Sequence, residues 1–284
     1  MLGGTLARRT AGVPFGGCMN KMLSIVPGLA IGLMLTGFTR TPPDTPVQLD
    51  DYTLGKIRLI ESRLASEGHP DTGRRIDEIS ASFLGTPYVP HMLVGSATSA
   101  EKLVIDFRGL DCFTYLDYVE ALRKSDSVPR FIENVVRTRY EHGDISYLNR
   151  KHFFTDWAHA TPLNARDVTR ETSSASTTVT KVLRTPSAGG QTGQSGSEVT
   201  RAINYIPSQF VDEAVISRLH TGDYIGIYTP AQGLDVTHTG IFIMTDKGPV
   251  LRNASAQSSH YQVIDSPFLA YVKKTPGIVV LRAL

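Results

Sequence analysis

Two cysteines occur in the chain, Cys18 and Cys112, and only Cys112 stands where a thiol could react. It follows Asp111 at the head of DCFTYLDYVEALR, a segment with a helical repeat. Asp111 is a favourable N-cap. Cys112, Tyr115, Leu116, Val119 and Leu122 then share one helix face. In the first turn, unpaired N–H groups and the positive end of the helix dipole favour a thiolate. A thiolate is the attacking species in amide hydrolysis. Asp111 opposes this, because a neighbouring negative charge raises a thiol pKa. The expected remedy is a cationic partner.

His238 is the candidate for that partner, opening a strand in LDVTHTGIFI. A histidine at a strand edge can reach a helix N-terminus packed on the sheet. It would take the thiol proton and return it to a leaving amine. Gly240 permits close backbone approach beside it. The base needs an orienting group on its other ring nitrogen. Asn253, in LRNAS on the next strand, is the first choice. With Asp246 and Pro249 flanking a two-residue turn, Phe242 faces Asn253, and His238 lies about 13 Å further along the strand. That register demands an irregular turn or a bent strand, and Ser255 on the same face is the alternative. His69, His91, His142, His159, His220 and His260 lack a supporting pattern. His152 and Trp157 sit in RKHFFTDW, an aromatic cluster that reads as structural or ligand-lining. No spacing suits zinc and no glycine-rich phosphate loop occurs, so no metal or cofactor is expected.

The elements that must hold these residues come from hydrophobic period. Leu54, Ile57, Ile60 and Leu64 recur at helical spacing, and a second helix starts near Asp71 with Ile76, Ile79 and Phe83 on one face. Gly85 follows as a left-handed cap. Phe131, Val135 and Val136 mark a short helix, and Phe210, Ala214, Val215 and Leu219 another. The tail changes period: 223–228, 239–245, 250–254 and 278–282 read as strands. Helices first and antiparallel strands later predict an α+β domain. Residues 171–200, rich in Ser, Thr and Gly, read as a flexible insert.

The chain has 284 residues, enough for one large domain, and 41% apolar and 20% charged residues are ordinary for a globular protein. Residues 1–40 carry Arg8, Arg9, Lys21 and Arg40 and no acid; the remainder holds 25 basic against 27 acidic residues. That balance excludes a basic nucleic-acid face. Lys21 precedes the uncharged run 22–38, which resembles a secretory signal, with an uncleaved membrane anchor as the alternative. Residues 1–40 are therefore expected to be a signal sequence or anchor that sends the protein to the cell envelope or periplasm. Residues 41–284 are expected to form a single catalytic domain, with its helical part over about 50–84.

Three ordered segments, FLGTPYV (83–89), LDCFTYLDYVEAL (110–122) and HTGIFI (238–243), resemble the NlpC/p60 superfamily of papain-like cysteine peptidases. Residues 137–157, 221–243, 251–255 and 277–282 are more specifically similar to its N-acetylmuramoyl-L-alanine amidase-like family. The resemblance covers roughly 75–284. It implies a papain-like fold, with a helical part bearing the cysteine packed on an antiparallel sheet bearing the histidine. It implies peptidoglycan or a muropeptide as substrate, with Cys112 as nucleophile, His238 as base and Asn253 as third polar residue. Tyr88 matches a tyrosine beside the active site. Tyr88, Asp111, His152, Trp157 and Ser255 are the candidate substrate-binding residues. The competing readings are an endopeptidase cutting within the stem peptide, a lipid acyltransferase, and a non-catalytic wall-binding module.

Overall fold

The computed structural model describes residues 47, 49–66, 68, 71–185 and 197–284. The signal or anchor segment lies outside the described residues. Helix α1 (Asp51–Ser66) buries Ile57, Ile60 and Leu64, and α2 (Thr72–Ala81) buries Ile76 and Ile79, as their spacing predicts. The Asp71 carboxylate caps α2 by accepting from Gly73 and Arg74 N–H. Gly85 does take φ +80°, but an extra turn separates it from the helix end. A short ribbon of β1 (Val94–Ser96) and β2 (Ser99–Lys102) leads into α3 (Cys112–Arg123), and α4 (Val128–Arg139) follows.

The rest is mostly sheet. In chain order come β3 (Ala165–Asp167), α5 (Thr169–Thr172), β4 (Thr177–Arg184), β5 (Glu198–Pro207) and α6 (Glu213–Ile216). Then follow β6 (Tyr224–Tyr228), β7 (Val236–Thr245), β8 (Gly248–Ala254), β9 (Val263–Pro267), α7 (Phe268–Val272) and β10 (Gly277–Ala283). Eight strands form one antiparallel sheet in the order β4-β5-β10-β6-β7-β8-β9, with β3 also paired to β10. The mixed α/β class with an antiparallel sheet is as predicted.

Period-two alternation makes both sheet faces apolar. Tyr224, Ile241, Ile243, Val279 and Leu281 join the core built with α1–α4. Phe242, Leu251, Ile225, Ile227 and Val280 face the other way, against Phe268 and Val272 of α7 and Val215 and Ile216 of α6. The sequence reading anticipated only the first layer.

Part of the segment 171–200, expected to be a flexible loop, is strand instead. Thr177–Arg184 pairs in full register with Glu198–Tyr205, making a long hairpin at one end of the sheet. Residues 186–196 of that segment lie outside the described residues.

Candidate active site

The capping box at the head of α3 fixes Cys112. The Asp111 carboxylate accepts from Phe113 N–H (3.1 Å) and Thr114 N–H (2.7 Å), while Asp111 N–H donates to Thr114 Oγ1 (3.0 Å). Cys112 N–H stands outside this box, at the position where a backbone donor could meet a developing oxyanion. The next tie comes from the sheet: Thr239 Oγ1 donates to the Cys112 carbonyl at 2.7 Å. Thr239 neighbours His238 on β7, so one hydrogen bond couples the helix start to the strand carrying this histidine.

The β7–β8 hairpin corrects the expected register. Thr245 pairs with Gly248 and Phe242 with Leu251, so Asp246-Lys247 form the two-residue turn, one position earlier in the chain than expected. Extending that ladder sets Asn253 opposite Gly240, about two residues from His238 instead of four. No irregular turn is needed. His238 Nε2 lies 3.0 Å from Asn253 Oδ1. Asn253 Nδ2 donates to the Leu251 carbonyl (3.0 Å) and to Ser266 Oγ (3.2 Å), which fixes which end of the amide meets the ring. Nε2 therefore carries the proton and Nδ1 keeps the lone pair. On its other side β7 is bulged: Ile227 pairs with His238 but Tyr228 with Val236, leaving Thr237 as the extra residue. A bulge beside a site re-aims the neighbouring side chain. Gly240 is required here, since a Cβ would come within 2.9 Å of the Arg252 carbonyl.

The electrostatics differ from the sequence expectation. Burial and then the Asp111 charge push the half-buried Cys112 thiol up to about 11, and hydrogen bonding from Thr239 offsets this only in part. Burial also lowers His238 below its ordinary value of 6.5, against the Asn253 hydrogen bond. Both groups are neutral near pH 7, and no direct hydrogen bond joins them. The preformed thiolate beside a cationic histidine is thus replaced by a neutral pair. The dipole of α3 is outweighed by desolvation and by the carboxylate that caps it.

Of the remaining candidates, Tyr88 packs on Tyr261 with ring centroids 5.2 Å apart. Burial and then the nearby Cys112 thiol hold its phenol up at about 12, which places it beside Cys112. His152 lines a cavity shared with Asp111, and its Nε2 donates to the Tyr147 carbonyl (2.8 Å). Trp157 is elsewhere: it is fully buried between Phe113 and Tyr224 and offers no face to a ligand. Ser255 is also buried and accepts from Gln257 N–H, so of the two polar candidates it is Asn253 that hydrogen-bonds His238. Two residues went unremarked in the sequence. Thr239 was visible as the neighbour of His238. Tyr271, on α7, stacks on the His238 ring at 6.2 Å and 29°, with burial and then the Cys112 thiol raising its phenol. Nothing in the spacing of a five-residue helix announces it. Among the described residues no group of side chains could hold a metal ion, and no helix is long and apolar enough to cross a membrane.

A family model described as AmiA-like, N-acetylmuramoyl-L-alanine amidase-like, matches residues 78–278. The chain belongs to this amidase-like family. An N-acetylmuramoyl-L-alanine amidase from Bacteroides uniformis is similar in structure, at 28% identity and a TM-score of 0.61, over 75% of this chain and 99% of that one. The Legionella pneumophila protein LPG0564 matches with a TM-score of 0.70 at 23% identity, over 82% and 95% of the two chains, a likeness of fold. A Bacteroides fragilis protein with a provisional xylanase description matches at 26% identity and a TM-score of 0.57, over 72% and 98%. No curated protein matches the sequence. Family and neighbours support a cell-wall hydrolase of amidase type.

Proposed function

We propose that this amidase-like protein is a cysteine hydrolase of papain-like, NlpC/p60 type, exported to the cell envelope, that cleaves the amide between N-acetylmuramic acid and L-alanine in peptidoglycan. The observation that carries the mechanism is the His238 Nε2–Asn253 Oδ1 bond at 3.0 Å. It leaves Nδ1 as the only ring nitrogen able to accept a proton, in a histidine adjacent to the residue that holds Cys112. A lone core histidine needs no such orienting amide.

Because thiol and imidazole are both neutral at rest, proton transfer accompanies attack. Nδ1 of His238 takes the thiol proton as Sγ bonds to the lactyl carbonyl carbon. The oxyanion forms next to Cys112 N–H. The imidazolium then protonates the leaving L-alanine nitrogen, the C–N bond breaks, and a thioester remains. Water, deprotonated by His238, hydrolyses the thioester and regenerates the thiol. A glycosidase would need two working carboxylates across the scissile bond. Asp111, the carboxylate adjoining Cys112, is committed to the helix cap.

Digestion of defined muropeptides by residues 41–284, beside Cys112→Ala, tests this by mass spectrometry. The expected product is free stem peptide beginning with L-alanine, absent with the variant. Cleavage within the stem would replace the amidase by an endopeptidase, and undiminished cleavage by Cys112→Ala would remove the cysteine mechanism.

A further inference from the structure

Two cavities meet at Arg150–Lys151–His152. The inner one, of 130 Å³, is walled by Asp111 and Phe113, which flank Cys112 in the chain, and by Asp117 and Arg139. The outer one, of 220 Å³, continues to Arg201 and Val199 of β5. We propose that they form one cleft leading away from the nucleophile, which binds free carboxylate groups of the substrate's peptide. The identity of that peptide as a peptidoglycan stem rests on the amidase reading.

Arg139 carries the argument. It is 1% exposed. Its Nε donates to Asp117 Oδ2 (2.7 Å) and Nη1 to the Val104 carbonyl (2.7 Å), while Nη2 has no hydrogen-bond partner among the described residues. A buried guanidinium nitrogen left unmet is costly, and its fork matches a carboxylate. Lys151 lies beside it in the wall, 3% exposed, with its ammonium donating to the Arg137 and Pro162 carbonyls and to no carboxylate. Burial lowers that ammonium to about 8, and an incoming anion would raise it again. The acids of the inner cavity are already engaged, Asp111 in the helix cap and Asp117 by Arg139. In the outer cavity Asp156 is held by Arg201, while Glu141 stands at the wall with His142 at 3.8 Å. Arg150 is held in place by Glu101. The unmet donor capacity of the inner cavity is therefore cationic.

The test compares two N-acetylmuramoyl peptides, one with free stem carboxylates and one with the same groups converted to primary amides. The full chain is expected to favour the free acid about tenfold in kcat/KM, the scale of one hydrogen bond to a charged group. Arg139→Lys keeps the charge and removes the unmet fork arm, so this ratio should fall toward one, with melting temperature read alongside. If that variant fails to fold, Lys151→Met is read instead. Equal rates on the two probes, or an unchanged ratio in the folded variant, overturn the cleft. If neither probe is cleaved, the amidase reading fails and calorimetry of both on Cys112→Ala decides the cleft. Tighter binding of the free acid supports it there, and equal affinity overturns it.

Discussion

Cys112 rests as a thiol and His238 as a neutral imidazole, which changes what the pair should do with pH. The thiol stands at about 11, so its thiolate fraction grows about tenfold per pH unit across the neutral and mildly alkaline range. Iodoacetamide labelling of Cys112 should rise on that slope between about pH 7 and 9. A rate already level from about pH 6 would instead reveal a preformed ion pair. Activity follows a different limb. The base must be unprotonated, and its pKa lies below 6.5, so kcat/KM should fall only as pH drops under that value. Asn253→Ala removes the group that fixes the tautomer and should lower kcat by about a hundredfold with little change in labelling. A loss confined to KM would move Asn253 into substrate binding. Residue type and neighbourhood singled out Cys112, His238 and Asn253 in the sequence, and the structure sets Asn253 on the ring of His238 and Thr239 on the carbonyl of Cys112. Their protonation was not legible there, because desolvation depends on what three separate elements bury.

Helix α3 presents a conflict between stability and reactivity. The Asp111 cap satisfies two N–H groups and also raises the thiol. Asp111→Ala should therefore act with two signs. It should cost about 1 kcal/mol, or roughly 2–4 °C in Tm for a domain of this size. It should also lower the thiol pKa and speed labelling at fixed pH. Unchanged labelling would show that burial alone sets the thiol. The same element was the easiest to read, since N-cap and period agree. The β4–β5 hairpin was not read, although TTVTKVLR alternates. Its threonines are β-branched strand formers, yet they also count toward the polar composition of a loop. Alternation was the better guide there, and the cross-strand partners more than ten residues away decided it.

The active-site face exists only where helical layer and sheet meet, and two buried charged nodes hold them together. On one side Glu120 of α3, with no exposure, receives both arms of Arg123 (2.7 Å each), Lys124 (2.6 Å) and the Tyr224 hydroxyl of β6 (2.6 Å). On the other, Arg252 of β8 joins Asp265 of β9 to Asp77 and Ser80 of α2. The partners that bridge helix and sheet lie 104 to 175 residues apart, so no local pattern exposes them. Breaking one member leaves the others buried without compensation, which costs about 3–5 kcal/mol. Glu120→Ala is expected to lose that much in denaturant unfolding, whereas Glu120→Gln keeps the shape and two acceptor lone pairs and should lose less. If the node also sets the height of α3 over β7, the folded Gln variant should show a lower kcat, because the Cys112 carbonyl would sit differently against Thr239. An unchanged kcat beside reduced stability would mean that the Thr239 bond alone seats Cys112, and that the ionic nodes serve the fold and not the chemistry.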